Sequence, residues 1–164
     1  MRHGLSSFVV LAAFAASAQS HVVLEQPQAD AGSTYKAVLR VGHGCGESPV
    51  TELIVQIPPG VRGARPMAKS GWQVAVTRSG ADVTQIRWSG GRLDPALYDD
   101  FVLLAKLPDQ PGPLYWKIAQ ICESGRADWV EVPAEGQSLH DLKAPAALLD
   151  VRPAAPAAAA VHQH

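Results

Sequence analysis

The sequence lacks the signatures of several large protein classes. After the first 20 residues it contains no apolar run of about 20 residues, so no membrane-spanning helix is expected. It has no glycine-rich phosphate loop that leads into a helix and no serine-centred nucleophile elbow, which speaks against nucleotide-binding proteins and common hydrolases. With 14 Lys and Arg against 15 Asp and Glu, it also lacks the positive charge that nucleic acids or anionic membranes attract.

Helical periodicity of useful length is absent too, and short strands with turns between them take its place. Residues Thr34–Val41 alternate between apolar and polar side chains with a period of two, and residues 51–57 repeat this pattern. The turn signals at residues 79–82 and 123–126 predict hairpins. The thirteen prolines and fourteen glycines recur at short intervals. The sequence therefore predicts one all-β domain, an antiparallel β-sandwich.

The first 20 residues predict a secretory signal peptide. Arg2 gives the positive start, residues 8–16 form the apolar centre, and residues 18–20 read Ala-Gln-Ser, a small-x-small cleavage site. Cleavage after Ser20 makes His21 the first residue of the mature chain. We therefore expect a periplasmic or secreted protein without a membrane span once the signal is removed.

The sequence has only two cysteines, Cys45 and Cys122. An even pair in an exported protein favours a disulfide, which the chain-entropy model expects to stabilise the fold by about 4 to 5 kcal/mol. The alternative is a metal site with two thiolate ligands.

At the C-terminal end, residues 153–164 form a Pro/Ala-rich tail that we expect to be disordered. It ends in His162-Gln163-His164, which is either a weak copper-collecting element or an uninformative terminus.

An N-terminal histidine has chemistry that an internal one lacks. Its free α-amine and its imidazole Nδ1 close a six-membered chelate ring on one metal ion, whereas an internal residue offers only an amide nitrogen. Two nitrogens on one residue favour Cu(II) in a tetragonal arrangement. The α-amine must lose its proton to bind, so copper affinity should fall in acid. His21 is therefore the first candidate ligand.

The glycine-rich segment after the second predicted strand supplies the other candidates. His43 and Glu47 lie there on either side of Cys45, and pairing of the first two strands would bring His43 near His21. His43 is alternatively a loop histidine that bonds a backbone carbonyl, and Glu47 is alternatively a solvated acid. Glu25 lies about 13 Å along an extended strand from His21, which is too far for the same ion.

Several separated motifs resemble the YcnI-like extracytoplasmic copper-binding domains, in order, over residues 21–152. Besides His21 at the start, the resemblance rests on residues 31–35 (AGSTY), 40–45 (RVGHGC), 66–72 (PMAKSGW), 88–91 (WSGG), 98–101 (YDDF), 120–125 (QICESG) and Trp129.

The resemblance implies an immunoglobulin-like β-sandwich that holds Cu(II) through the N-terminal amine and imidazole, here those of His21. It also implies a further Glu ligand and a tryptophan close to the copper, which maps best to Trp129. No Glu aligns with the family's ligand before Glu47, so we expect His43 to substitute for it, with Glu47 second.

These observations predict a periplasmic copper(II)-binding protein for copper homeostasis, chaperoning or delivery, rather than an enzyme. Its expected partners are copper itself and another periplasmic copper chaperone or a copper transporter. One alternative is a copper-dependent oxidative enzyme resembling the monooxygenases that also use an N-terminal histidine. The other is a structural β-sandwich that binds no metal.

Overall fold

A computed structural model describes residues 21–154 of the chain. The predicted signal peptide and residues 155–164 of the predicted tail, including His162 and His164, lie outside this range. Within it, no helix is long and apolar enough to cross a membrane.

The described residues form eleven strands and one short 3-10 helix, Leu139–Asp141. The strands are β1 (Val23–Leu24), β2 (Gln28–Asp30), β3 (Thr34–Val41), β4 (Val50–Gln56), β5 (Arg62–Pro66), β6 (Gln73–Ser79), β7 (Asp82–Leu93), β8 (Asp99–Lys106), β9 (Gly112–Cys122), β10 (Arg126–Trp129) and β11 (Ala147–Arg152).

The strands form two sheets, which confirms the predicted β-sandwich. The smaller sheet has the order β1-β3-β8-β5, and the larger has the order β2-β11-β9-β4-β7-β6. Strand β9 is long enough to pair with β11 along its first half and with β10 along its second half. All pairs are antiparallel except β2 and β11, which run parallel. The larger sheet is therefore mixed, where the sequence predicted antiparallel pairing throughout.

The alternation in the sequence predicts the central strands better than the edge strands. Strand β3 has the predicted bounds, and its buried side chains alternate with more exposed ones. Strand β5 was missed because its register shifts between Arg62 and Arg65, which breaks the period of two. Strand β2 was missed because it has only three residues and a distant parallel partner.

The core between the sheets is built mainly from aromatic and branched aliphatic side chains. Trp88, Trp116 and Phe101 are fully buried, and the rings of Trp88 and Phe101 meet edge to face with centroids 5.6 Å apart.

Cys45 and Cys122 form the predicted disulfide, and their Cα atoms are 6.1 Å apart. Cys45 follows β3 of the smaller sheet, whereas Cys122 ends β9 of the larger sheet. The bond therefore ties the two sheets together at the end of the sandwich where β3 finishes, and it excludes the alternative of a two-thiolate metal site.

Tyr35 gives the fold a measurable alkaline titration. Its side chain lies in the core, and its hydroxyl donates a hydrogen bond of 2.6 Å to the carbonyl of Gln26. Burial raises the pKa of Tyr35 from its ordinary value of 10.0 to about 12, because the phenolate would lose its hydration. The folded state then holds this proton more tightly than the unfolded state, so the free energy of unfolding falls as the pH rises from about 10 towards 12.

We predict that ultraviolet titration of the three tyrosines shows one component that ionises about two pH units late. Tyr35→Phe should remove this component, whereas Tyr98→Phe, at an exposed position, should keep it. A late component that survives in Tyr35→Phe would contradict the assignment.

Candidate metal centre

Gln120 is the buried polar side chain at the centre of the candidate site. It lies in β9 with 2 % of its surface exposed, and it bonds to two other segments. Its Nε2 donates a hydrogen bond of 2.6 Å to the carbonyl of His43, and its Oε1 accepts one of 3.2 Å from the indole Nε1 of Trp129. One amide thus joins the loop after β3 to strand β10.

The ring of His21 also contacts Trp129. The two ring centroids are 5.0 Å apart and the planes are tilted by 54°. Trp129 is 6 % exposed and His21 is half-buried, so the indole shields one side of the imidazole from water. Its bond to Gln120 sets the direction of the indole N–H.

Strand pairing brings the start of the domain to the loop that carries His43. Strand β1 pairs antiparallel with β3, with Val23 opposite Arg40. This register, continued by two residues, sets His21 opposite Gly42, next to His43 in sequence. The first two strands expected from the sequence, which correspond to β1 and β3, therefore do pair as neighbours.

The loop of residues 42–48 folds tightly because of its glycines. The backbone N–H of Cys45 donates to the carbonyl of Ser48, and that of Ser48 donates to the carbonyl of Cys45. A Cβ on Gly44 would overlap the carbonyl oxygen of Ser48, and Gly46 has a φ of +62°. Gly44 therefore leaves no room for a side chain, and Gly46 has a backbone conformation that other residues rarely adopt.

The hydrogen bond of His43 fixes its tautomer. Its Nδ1 lies 2.7 Å from the carbonyl oxygen of Gly44. A carbonyl only accepts, so Nδ1 carries the proton, and in the neutral ring the lone pair is at Nε2. This is the hydrogen bond to a backbone carbonyl that was the alternative interpretation of His43. Metal-binding histidines are oriented by the same kind of bond, so the contact is compatible with both interpretations.

The structure distributes the three predicted ligands over two neighbouring cavities. His43 and Glu47 line an open pocket of about 520 Å³ together with Asp94. His21 lines an open, mostly apolar groove of about 510 Å³ between β1 and β11. Across residues 21–154, no three His, Cys, Asp or Glu side chains come together as a metal-binding group. Side chains of the described part alone therefore do not complete a three-ligand site.

Glu25 takes part in an ion-pair cluster on the smaller sheet. Its Oε1 lies 3.8 Å from Nη2 of Arg40, whose Nε donates a hydrogen bond of 3.1 Å to Asp100. The bond with Asp100 raises the pKa of Arg40 above its ordinary value, so this guanidinium stays charged. Arg40 thus gives the Glu25 carboxylate a partner other than a metal ion.

Gln120 is not among the predicted site residues, although the sequence carries a signal for it. Alternate residues of β9 face the core, namely Trp116, Ile118, Gln120 and Cys122. A glutamine among three apolar inward positions predicts a buried amide with specific partners, because an unpaired buried amide is costly.

We predict that Gln120→Leu lowers the free energy of unfolding by about 2 to 4 kcal/mol, because the His43 carbonyl and the Trp129 N–H both lose their buried partner. Urea denaturation measures this change. Gln56→Leu, at an exposed position of β4, is the matched control and should change stability by less than about 0.5 kcal/mol. Equal effects of the two substitutions would contradict the bridging role.

Comparison with known proteins agrees with this fold. A family model described as a domain of unknown function (DUF1775) matches residues 21–151. A solved structure, described as an uncharacterized protein from Nocardia farcinica with an immunoglobulin-like fold, is similar with a TM-score of 0.68. It is 24 % identical in sequence, and the similarity covers 80 % of this chain and 97 % of that chain. This likeness establishes an immunoglobulin-like fold. No curated protein matches the chain.

Proposed function

The chain belongs to the DUF1775 family, the YcnI-like domains, and we propose that its mature form binds copper(II) through the α-amine and imidazole of His21. The contact between the rings of His21 and Trp129 is the observation that carries this proposal. The imidazole, which would supply one nitrogen ligand, lies beside the buried indole of Trp129. His21 is also the residue at which the family match begins.

The donor set fits copper(II) only if the chain is cleaved. In the full chain the backbone nitrogen of His21 belongs to a peptide bond, and it has no lone pair to offer a metal ion unless that amide is deprotonated. Cleavage after Ser20 turns it into an amine, which gives one residue two nitrogen donors. Nitrogen donors in a tetragonal arrangement are those that copper(II) prefers among the divalent ions.

Trp129 and Gln120 support such a site without contributing ligands. The indole packs against the His21 ring in a tilted contact, and Gln120 fixes the indole through its Nε1. An apolar cover of this kind limits water at a metal site and restricts the coordination positions that solvent can reach. Bound copper would then be held mainly by nitrogen ligands.

We propose His43 as a further ligand, with Glu47 as the second candidate. The register of β1 and β3 leads His21 towards the His43 loop, and the Nδ1 bond to Gly44 orients the His43 ring. Glu47 lines the same pocket as His43. The loop and the first two residues must approach each other on metal binding, because the described side chains do not yet form one cluster.

In this proposal copper is cargo. A periplasmic or secreted carrier would receive copper and pass it to another copper chaperone or to a copper transporter. The site suits transfer because its ligands lie at the edge of the sandwich, next to open cavities. The described residues hold copper and exclude water, and the proposal assigns them no catalytic step.

We predict that one equivalent of copper(II) quenches the fluorescence of Trp129 in the mature protein, since the ion would lie beside the indole. His21→Ala should weaken binding at least about a hundredfold, because even residues behind the ligands change metal affinity by ten- to a hundredfold. His140→Ala, at an exposed histidine of the 3-10 helix, is the matched control and should bind like the parent.

Two further comparisons sharpen the fluorescence titration. Trp129→Phe should still bind copper but lose most of the quenching, which identifies the reporting tryptophan among the four. His43→Ala should weaken binding more than Glu47→Gln if His43 is the further ligand. Copper binding by His21→Ala equal to that of His140→Ala would contradict the proposed function.

A further inference from the structure

A basic pocket of about 420 Å³ lies at the end of the sandwich opposite His21. Four cationic side chains line it, Arg62, Arg65, Arg78 and Lys106, and none of the described residues that line it is acidic. They come from the two edge strands β5 and β6 and from the end of β8. The whole chain has a formal charge of −1, so this concentration of positive charge is local.

The cations of this pocket are poorly neutralised within the described part of the protein. Arg62 reaches Asp109 at 3.5 Å, where both side chains are exposed, and Arg78 donates to the carbonyl of Ala81 at 3.2 Å. Arg65 and Lys106 have no ion pair among residues 21–154. An exposed pair such as Arg62 and Asp109 adds little stability.

Strand register places two of the cations directly opposite each other. Arg62 in β5 pairs with Lys106 in β8, and like charges at such positions destabilise a sheet. In the next row Arg65 pairs with Leu104, an apolar side chain that is 42 % exposed. An anion bound between these side chains would relieve the repulsion.

We propose that the basic pocket binds a phosphate-bearing anion. Guanidinium groups bind phosphate oxygens in pairs of parallel hydrogen bonds, and the three arginines with Lys106 supply several such donors around one cavity. The phosphate comes either from a small soluble molecule or from the headgroup of an anionic lipid, beside which the exposed Leu104 would enter the bilayer surface.

This site is separate from the proposed copper centre. His21 lies opposite Gly42, beyond one end of β3, whereas Thr34 at the other end of β3 lines the basic pocket. The separation is about 27 Å for eight residues of extended strand. The proposal therefore stands on its own, whether or not copper binds.

The test uses inorganic pyrophosphate as a soluble probe and vesicles of phosphatidylglycerol as a membrane probe, with phosphatidylcholine vesicles as the neutral reference. The parent protein is compared with R65Q/K106Q at about 0.15 M salt, where long-range attraction is screened. The control is K117Q/K143Q, which removes the same charge at two exposed positions outside the pocket.

Calorimetry and vesicle cosedimentation should show binding by the parent and by K117Q/K143Q, and binding about tenfold weaker or absent in R65Q/K106Q. Pyrophosphate should also raise the Tm of the parent but not of R65Q/K106Q. Binding in only one arm identifies the source of the phosphate. Absence of binding to both probes by the parent, or equal loss in the two double variants, would overturn the proposal.

Discussion

The side-chain amide of Gln120 is the constraint on which the candidate copper centre depends. Apart from the polar groups of aromatic residues, it is the one buried polar side chain in the part of the chain that the structure describes, and both ends of its amide are used. One end fixes the backbone of His43 and the other fixes the ring of Trp129. The Cys45–Cys122 disulfide closes the same end of the sandwich, so the loop and the tryptophan cannot move apart easily. His21 packs against the ring of Trp129, which these contacts hold in place.

The sandwich was predictable because alternate burial of side chains gives each half-buried strand an apolar pattern with a period of two. The disulfide was predictable because the sequence contains a single pair of cysteines. The short edge strands β2 and β5 were not predictable, since a three-residue strand or a shifted register leaves no period. The basic pocket was invisible for another reason. Arg62 and Lys106 are 44 positions apart in the sequence, and a net charge near zero does not indicate that cationic side chains cluster in one place.

The candidate site was partly predictable. The sequence indicates His21 as a candidate chelating residue because the predicted cleavage would create its amine, and it indicates Trp129 through the family resemblance. It does not reveal the bridge between them, because hydrogen bonds between distant segments depend on three-dimensional packing. In the structure His43 and Glu47 line one cavity and His21 lines another, so the proposed three-ligand site would require local movement. The two proposed sites lie at opposite ends of the sandwich.

The most direct measurement is copper(II) electron paramagnetic resonance on mature protein whose intact mass establishes its first residue, beside the same protein with its α-amine acetylated. Acetylation keeps the imidazole and Trp129 but removes the amine as a nitrogen donor. The account predicts a mature chain that begins at His21 and, at neutral pH, a tetragonal, nitrogen-rich signal that the acetylated form loses. A different first residue, or the same signal in both forms, would contradict it.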